Sequence, residues 1–470
     1  MAKGDGPCVK CYALLALVLV VILAATNVWN PFPKLWTWVN QTQPLSTPAP
    51  VWQQQLGSMA KSVTVAGSAV VVEHRTTVEA LSIQAGVRLW QTDADWGAVA
   101  GAGDAAVVAV GELLVKGYSV LDADTGTVLR RDREAVAVWT YRTMLLDLRC
   151  LAAGDCVLSA WDPRGAQPLW TVPVPGTGLV LFADNPGLPG TRLLTAARAN
   201  ADVGGPVSVP ALLGFRADGK VHVVDTAAGR VVQVVDPPRG DRLVVVGGRV
   251  VTVSARARDG TCYFTVTATD PAAGQQVWQQ SGLNLRTTQG AGCEQRDDPV
   301  GGLNVLLGVV GEGREVLLDA YDGRSLWRGA REQRVLAVDD RYAVVRAPDG
   351  RSISGYPLGR SRVGWQRDTA TDTQAALTPY AAVLLAADPP RVLALNPPDG
   401  RVLLEVRSSA RVLAVGPAGL VVGEGRDIAY LRFAGKASPG DGTAGTPATG
   451  GPQPPCGGPK EPACQRPAGR

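Results

Sequence analysis

The sequence predicts an all-β fold, a β-propeller of about eight four-stranded blades with a range of seven to nine. A short phrase recurs along the chain: an apolar run, a turn built on Asp or Pro with Gly, and a second run often marked by Trp. Successive copies lie roughly 37 to 63 residues apart, which is the period of a four-stranded blade. The 55 glycines and Val-rich runs such as residues 70–72 favour strands joined by tight turns.

Each copy of the phrase has the pattern of a β-hairpin. A single four-stranded sheet cannot bury both of its faces, so blades must pack around a central axis until the ring closes. The eight copies lie at residues 80–90, 121–126, 160–170, 224–229, 268–278, 320–327, 355–365 and 395–400.

The two ends of the predicted ring complement each other. Residues 411–415, 419–423 and 428–433 read as three strands with no fourth, whereas residues 51–56 resemble an outermost strand that no inner strands precede. We therefore expect the N-terminal strand to complete the last blade and lock the ring. Adding this shared blade to the eight phrases gives nine, but propellers usually have about four to eight blades, so the expected number is eight.

The N-terminus predicts a single transmembrane helix before the propeller. Residues 12–28 are apolar except for Thr26 and Asn27, and Lys3 and Lys10 precede them. This length is near the lower limit for a membrane span, and the positive charges place the N-terminus in the cytoplasm and the propeller outside. A signal peptide cleaved near residues 24–26 is the alternative.

The flanking segments complete the predicted organisation of the chain. An interfacial aromatic belt and a Pro-containing linker follow the anchor, and a Gly- and Pro-rich tail, expected to be disordered, follows the propeller. The predicted divisions are a cytoplasmic N-terminus at 1–11, the anchor at 12–28, the belt and linker at 29–50, the propeller at 51–434 and the tail at 435–470.

The cysteines agree with this topology. Two of the eight precede the anchor, Cys8 and Cys11, and the other six follow it as close sequence pairs, as in proteins of an oxidising compartment. Their assignment to disulfides rests on proximity in the sequence alone. The candidate pairs are Cys150 with Cys156, Cys262 with Cys293, and Cys456 with Cys464.

The composition offers little catalytic chemistry. The chain has two histidines, His74 and His222, and no Gly-x-Ser-x-Gly elbow, so the sequence supports neither a His-based metal centre nor a Ser-His-Asp arrangement. Residues 122–126 begin like a calcium loop but lack its later Glu, and Asp and Gly are also what the turn requires. A formal charge of +4, from 46 basic and 42 acidic side chains, does not indicate a nucleic-acid partner.

The phrase resembles the signature of the pyrroloquinoline-quinone-type β-propeller repeat, seen nearly complete at Ala268, Asp270, Gly274 and Trp278. The resemblance covers roughly residues 51–433 and implies that a Trp after each turn docks between neighbouring blades. Leu129, Val232 and Leu403 occupy comparable places, where looser contacts are expected. The implied docking residues are Trp90, Trp170, Trp278, Trp327 and Trp365.

Quinone-dependent dehydrogenases belong to the same family, but the sequence argues against enzymatic activity. Those enzymes bring adjacent cysteines, a calcium site and a catalytic Asp, and this chain has no adjacent cysteines. We therefore expect no catalytic, cofactor-binding or metal-binding residues and no cofactor. The predicted function is a non-catalytic binding or scaffolding module of the bacterial cell envelope, which resembles the propeller subunit of envelope-assembly machinery.

This module is expected to be anchored in the cytoplasmic membrane and to meet a protein partner at the extracytoplasmic face. The long excursion at residues 182–210 is the expected contact surface, because insertions into a repeat usually project from one face. The alternative is a quinone-dependent dehydrogenase or another small-molecule enzyme that uses the propeller channel.

Overall fold

Nine antiparallel sheets follow one another along the chain and form a nine-bladed β-propeller. The computed structural model describes residues 43–152, 154–176, 188–237, 239–285, 299–360 and 362–435. First strands of neighbouring sheets contact each other, so these strands surround the central axis and later strands lie further out. Eight sheets have four strands, and the sheet that follows residues 177–187 has three within the described residues.

The first strand of the chain, β1 (Trp52–Gln55), belongs to the last blade. Blades 1 to 4 then follow in sequence. Blade 1 consists of β2 (Ser62–Ala66), β3 (Ala69–Glu73), β4 (Thr77–Ser82) and β5 (Arg88–Asp93). Blade 2 consists of β6 (Trp96–Ala100), β7 (Val107–Gly111), β8 (Tyr118–Asp122) and β9 (Val128–Asp132). Blade 3 consists of β10 (Ala135–Thr140), β11 (Leu145–Ala152), β12 (Asp155–Trp161) and β13 (Pro168–Pro175), and blade 4 of β14 (Leu212–Ala217), β15 (Lys220–Asp225) and β16 (Arg230–Val235).

Blades 5 to 9 repeat the same order from the axis outwards. Blade 5 consists of β17 (Arg242–Val246), β18 (Arg249–Arg258), β19 (Thr261–Asp270) and β20 (Gln275–Ser281). Blade 6 consists of β21 (Asn284–Leu285), β22 (Val305–Val310), β23 (Arg314–Asp319) and β24 (Ser325–Arg328). Blade 7 consists of β25 (Arg334–Val338), β26 (Tyr342–Arg346), β27 (Ser352–Pro357) and β28 (Trp365–Asp368). Blade 8 consists of β29 (Gln374–Leu377), β30 (Ala382–Ala386), β31 (Arg391–Leu395) and β32 (Val402–Arg407), and blade 9 of β33 (Arg411–Val415), β34 (Gly419–Glu424) and β35 (Asp427–Arg432) with β1.

Helix is almost absent from the part of the chain that the structure describes. Two single 3-10 turns, Gly103–Ala105 and Gly311–Gly313, are the only helical segments there. No described helix is long and apolar enough to cross a bilayer. The predicted anchor at 12–28, with Cys8 and Cys11 before it, lies outside the described residues, as do residues 436–470 with Cys456 and Cys464.

The ring closes where the two ends of the propeller share a sheet, as the sequence predicted. Strand β1 pairs antiparallel with β35, placing Trp52 opposite Tyr430 and Gln55 opposite Asp427. The expected number of eight blades was one too low, although nine lies within the predicted range. The two outer strands of blade 9 come from opposite ends of the chain, so no turn joins them and no ninth phrase exists.

The tryptophans of the phrase lie between neighbouring blades. The indole Nε1 of Trp90 in blade 1 donates a hydrogen bond of 2.9 Å to the carbonyl oxygen of Ala123 in the turn of blade 2. Its ring covers Gly126, which has a φ of 70°. Corresponding indole bonds run from Trp52 to Ile83, from Trp170 to Thr226, from Trp278 to Ala320 and from Trp365 to Pro397. Trp327 packs against Tyr356 of blade 7, with ring centroids 5.7 Å apart.

In three blades a residue other than tryptophan lies at the register position of Trp90, one residue after the position that the phrase indicated. Trp90 lies opposite Ala80, and in the same register Arg130 lies opposite Val120, Gln233 opposite Val223 and Leu404 opposite Ala394. These three residues share the register of Trp90, and the predicted Leu403 is itself buried in the core between blades 8 and 9. The Arg130 guanidinium replaces the indole: it lies 3.9 Å from the ring centroid of Trp161 and donates to the carbonyl oxygen of Gly165.

Two glycines at the same turn position offer a matched test of this docking. A Cβ at Gly229 would lie 2.4 Å from Cγ of Trp170, whereas a Cβ at Gly274 would meet no atom within 4 Å. Both residues have a left-handed φ, which costs an alanine about 1–2 kcal/mol. We expect Gly274→Ala to lower the free energy of unfolding by that amount and Gly229→Ala by about 3 kcal/mol, because only the latter overpacks the blade contact. Chemical denaturation of both variants measures the difference, and equal losses would contradict the docking role.

Candidate functional site

The central channel is occupied by part of the chain itself. Residues 188–210, here called the channel segment, lie between blade 3 and strand β14 of blade 4 in the chain and pass along the inner strands of other blades. Main-chain hydrogen bonds mark its path around the axis in the order of the blades. They join Pro189 to Val245 of blade 5, Arg192 to Pro299 and Gly301 of blade 6, Arg198 to Val412 and Val203 to Val415 of blade 9, and Val207 to Arg142 of blade 3.

Arg198 is the most heavily bonded side chain of the channel segment. Its guanidinium donates to the carbonyl oxygens of Ala386 at 2.8 Å, Ser408 at 3.2 Å and Ala410 at 3.0 Å, and its main-chain N–H donates to Gln374 Oε1. These acceptors belong to blade 8 and to the connection that leads into blade 9. One side chain therefore ties two blades to the segment.

The small apolar residues of the channel segment complete a core. Ala196, Ala199 and Val203 are buried among residues of blades 8 and 9. The expectation that residues 182–210 form a projecting contact surface is therefore wrong for the described part, 188–210. Its Ala, Gly and Pro residues carry no strand or helix periodicity, but they are small enough to approach the inner strands closely.

A cavity of about 440 Å³ remains between the channel segment and the inner strands of blades 1 to 3. Its polar lining includes Thr64, Thr140 and the carboxylate of Asp202. Burial raises the pKa of Asp202 above its ordinary range. On the opposite wall Lys61 Nζ lies 2.5 Å from Glu73 Oε1. The cavity is thus polar and small, and it can admit water or a small polar molecule.

The two histidines differ in their surroundings. His222 is half-buried on β15, where partial burial lowers its pKa. His74 is buried and bonded at both ring nitrogens: Nε2 lies 2.8 Å from Glu79 Oε1, and Nδ1 lies 2.9 Å from Ser58 Oγ. No motif in the sequence indicates a serine, histidine and carboxylate arrangement, but the fold brings Ser58, His74 and Glu79 together. Ser58 stands in the sequence Leu-Gly-Ser-Met-Ala, which does not match the Gly-x-Ser-x-Gly motif.

The aspartates of the turn motif serve the fold. Asp122 Oδ1 accepts hydrogen bonds from the main-chain N–H groups of Asp124 and Thr125, and Asp124 Oδ1 accepts one from Ser68 Oγ of blade 1. These carboxylates hold the turn and link two blades. Across the described ranges, no three His, Cys, Asp or Glu side chains converge in a way that could hold a metal ion.

Two disulfide-bonded hairpins emerge from one face of the propeller. The chain runs in the same direction in every blade, so all connections between second and third strands lie on this face. A disulfide joins Cys150 to Cys156 across the tip of the β11–β12 hairpin of blade 3, as predicted. Cys262 near the tip of the β18–β19 hairpin of blade 5 is also disulfide-bonded, and its expected partner Cys293 lies outside the described residues.

Large apolar side chains are exposed at these connections. Leu151 of blade 3 is 83% exposed, Leu114 of blade 2 is 70% exposed, and Tyr263 of blade 5 is 56% exposed. We call these three residues the apolar tips. Leu114 also has a left-handed φ of 60°, which is unfavourable for a leucine and is often found at functional sites. These three residues could not be predicted from the sequence, because single apolar residues in short turns carry no periodic signal.

Part of the chain matches a known family of propeller proteins. Residues 263–412, which run from the third strand of blade 5 through blades 6 to 8 to the start of blade 9, match the PQQ_2 family model described as outer membrane protein assembly factor BamB. These residues carry PQQ-type propeller repeats. The match confirms the resemblance that the recurring phrase predicted. No curated protein matches the chain.

Solved propellers are similar to the chain at low identity. They include BamB from Moraxella catarrhalis, at 16% identity and a TM-score of 0.33, covering 76% of this chain and 99% of that one. The quinohemoprotein alcohol dehydrogenase ADHIIG from Pseudomonas putida HK5 aligns at 13% identity and a TM-score of 0.36, covering 88% and 79%. The computationally designed Ika8 protein aligns at 18% identity and a TM-score of 0.34, covering 71% and 95%. At these scores the alignments carry no argument about function.

Proposed function

We propose that the protein is a protein-binding module of the bacterial cell envelope and that the apolar tips contact its partner. The observation that carries this proposal is the exposure of Leu114, Leu151 and Tyr263 on one face of the ring. Exposed apolar side chains grouped on one face can act as anchors for a protein partner, and disulfides crosslink two of the supporting hairpins. The family match to an outer membrane protein assembly factor supports the same class of function.

The N-terminal segment supplies the proposed location. Residues 12–28 have the length and apolarity of a membrane anchor, and the preceding lysines favour a cytoplasmic N-terminus. In this proposal the propeller is tethered at the outer face of the cytoplasmic membrane. Three described cysteines, Cys150, Cys156 and Cys262, are in disulfides, which is compatible with such an oxidising location.

A quinone-dependent dehydrogenase is the weaker proposal, because it requires the propeller channel to accept the cofactor. The channel segment occupies the space next to blades 5 to 9 through its own hydrogen bonds. The polar cavity that remains lies beside blades 1 to 3 and has a volume of about 440 Å³.

Site-specific photocrosslinking tests the binding function. A photoreactive amino acid at Leu151 should capture one protein in intact cells, and the same amino acid at Leu169 should not. Leu169 is a matched control because it is an exposed leucine of the same blade, 57% accessible, but lies at the start of the outer strand β13. We expect Leu151→Asp to weaken binding of the captured protein at least about tenfold, as loss of an apolar anchor does. Equal capture at the two positions, or unchanged affinity of the Leu151→Asp variant, would contradict the proposal.

A further inference from the structure

Blade 1 contains a serine, a histidine and a carboxylate that are joined by hydrogen bonds. Ser58 lies in the connection between β1 and β2, His74 directly follows β3, and Glu79 lies within β4. The short turn after β3 brings Glu79 back toward one nitrogen of the His74 imidazole. The connection into β2 brings Ser58 to the other nitrogen. The resulting distances are 2.9 Å from Ser58 Oγ to His74 Nδ1 and 2.8 Å from His74 Nε2 to Glu79 Oε1.

The carboxylate determines which imidazole nitrogen is basic. An ionised carboxylate can only accept hydrogen bonds, so His74 Nε2 must carry the proton that is shared with Glu79. In the neutral ring Nδ1 is then unprotonated and accepts the hydroxyl proton of Ser58 at 2.9 Å, while the carbonyl oxygen of Met59 lies farther from the same nitrogen, at 3.4 Å, and has no proton to donate. His74 and Glu79 are buried, with 4% and 6% exposure, whereas Ser58 is exposed to solvent. A buried, oriented base thus faces an accessible hydroxyl, which is the arrangement of an activated nucleophile.

The surroundings of Ser58 also offer hydrogen-bond donors. The main-chain N–H groups of Ser58, Met59 and Ala60 make no hydrogen bond to any other described residue. Free N–H groups beside a nucleophile can stabilise the negative charge that develops on a carbonyl oxygen under attack.

We propose that Ser58 is a nucleophilic serine that accepts acyl groups from esters, with His74 as its general base and Glu79 as the residue that positions His74. In this step Ser58 Oγ bonds to the ester carbonyl carbon while its proton moves to His74 Nδ1. The bond from that carbon to the leaving oxygen breaks, and the departing alkoxide takes the proton from Nδ1. Water can then release the acyl group by the same route. This chemistry goes beyond the proposed binding function and uses none of the apolar tips.

A fluorophosphonate probe tests the proposal on the purified full chain. In this reaction Ser58 Oγ bonds to phosphorus and fluoride leaves, so an adduct reports the nucleophile without requiring the natural ester. We expect peptide mass mapping to locate one adduct, at Ser58. Ser68 is an internal control, because its hydroxyl donates directly to Asp124 Oδ1 at 2.7 Å and no imidazole faces it. Labelling of Ser58 no faster than Ser68 in the unmodified protein would overturn the proposal.

Three variants separate the chemistry from a purely structural role. Ser58→Ala should remove the adduct. His74→Gln should slow labelling about 100-fold or more, the usual contribution of a general base, and Glu79→Gln should also slow it, because the ring loses its fixed proton. Near-UV circular dichroism shows which variants are folded. A folded His74→Gln protein that is labelled at the normal rate would overturn the proposal. If that variant does not fold, the rates of Ser58 and Ser68 labelling in the unmodified protein decide: faster labelling of Ser58 supports the proposal, and equal rates overturn it.

Discussion

Replacing Arg198 by alanine is expected to lower the free energy of unfolding by about 4 kcal/mol. The guanidinium donates to three main-chain carbonyl oxygens, those of Ala386, Ser408 and Ala410. A hydrogen bond to a charged group contributes about 1.5–3 kcal/mol, and its removal leaves enclosed carbonyl groups without a donor. The variant should also detach the channel segment from blades 8 and 9, which chemical denaturation and proteolysis within residues 188–210 would both detect.

Two further variants isolate the geometry of this contact. Arg198→Lys keeps the positive charge but cannot form the fork that reaches three acceptors, so it should recover only a minor part of the loss. Arg258→Ala removes an arginine whose side chain is 81% exposed, and it should change stability by no more than about 0.5 kcal/mol. A near-neutral Arg198→Ala variant would show that the channel segment is not anchored as described.

Replacing Trp52 by alanine should destabilise the protein by about 3–5 kcal/mol, because it removes a buried aromatic residue from the junction that closes the ring. Trp52 is 8% exposed, stacks on Tyr430 of its own blade and donates to the carbonyl oxygen of Ile83 in blade 1. Its loss weakens blade 9 and the contact of that blade with blade 1 together. Thermal and chemical unfolding of the variant would measure the effect.

The same strand supplies the control for ring closure. Gln55 is exposed and pairs with Asp427 through the main chain, so Gln55→Ala should leave stability within about 0.5 kcal/mol of the parent. Removal of residues 43–56 should have a larger effect than Trp52→Ala, because it exposes the edge of β35 to pairing with other chains. A truncated protein that stays monomeric and stable would contradict the closing role of β1.

Much of the fold could be predicted because the turns repeat. Most hairpins between third and fourth strands have an acceptor such as Asp122 at the start of the turn and a left-handed residue such as Gly126 at its end, and these requirements leave a recognisable phrase in the sequence. The closing blade was predicted from unmatched strands at the two ends. Counting this closing blade with the eight phrases gave nine blades, but the expected number was set at eight because propellers of nine blades are unusual.

The remaining features depend on contacts that local patterns do not encode. The channel segment follows the inner strands through main-chain bonds, such as that of Val203 with Val415, which any sequence of small residues could make. The docking position held by Arg130 was missed because a guanidinium can stack where a tryptophan was sought. The Ser58, His74 and Glu79 cluster needs two strands and an interblade connection in place before its members meet.

The shared sheet of blade 9 also affects biosynthesis. Because β1 pairs with β35, the strand translated first meets its partner only after nearly the entire ring has been synthesised. Pairings between such distant segments form slowly, and unpaired edges invite association in the meantime. A ribosome that terminates before residue 427, where β35 begins, therefore releases a polypeptide in which β1 has no partner strand and the ring cannot close.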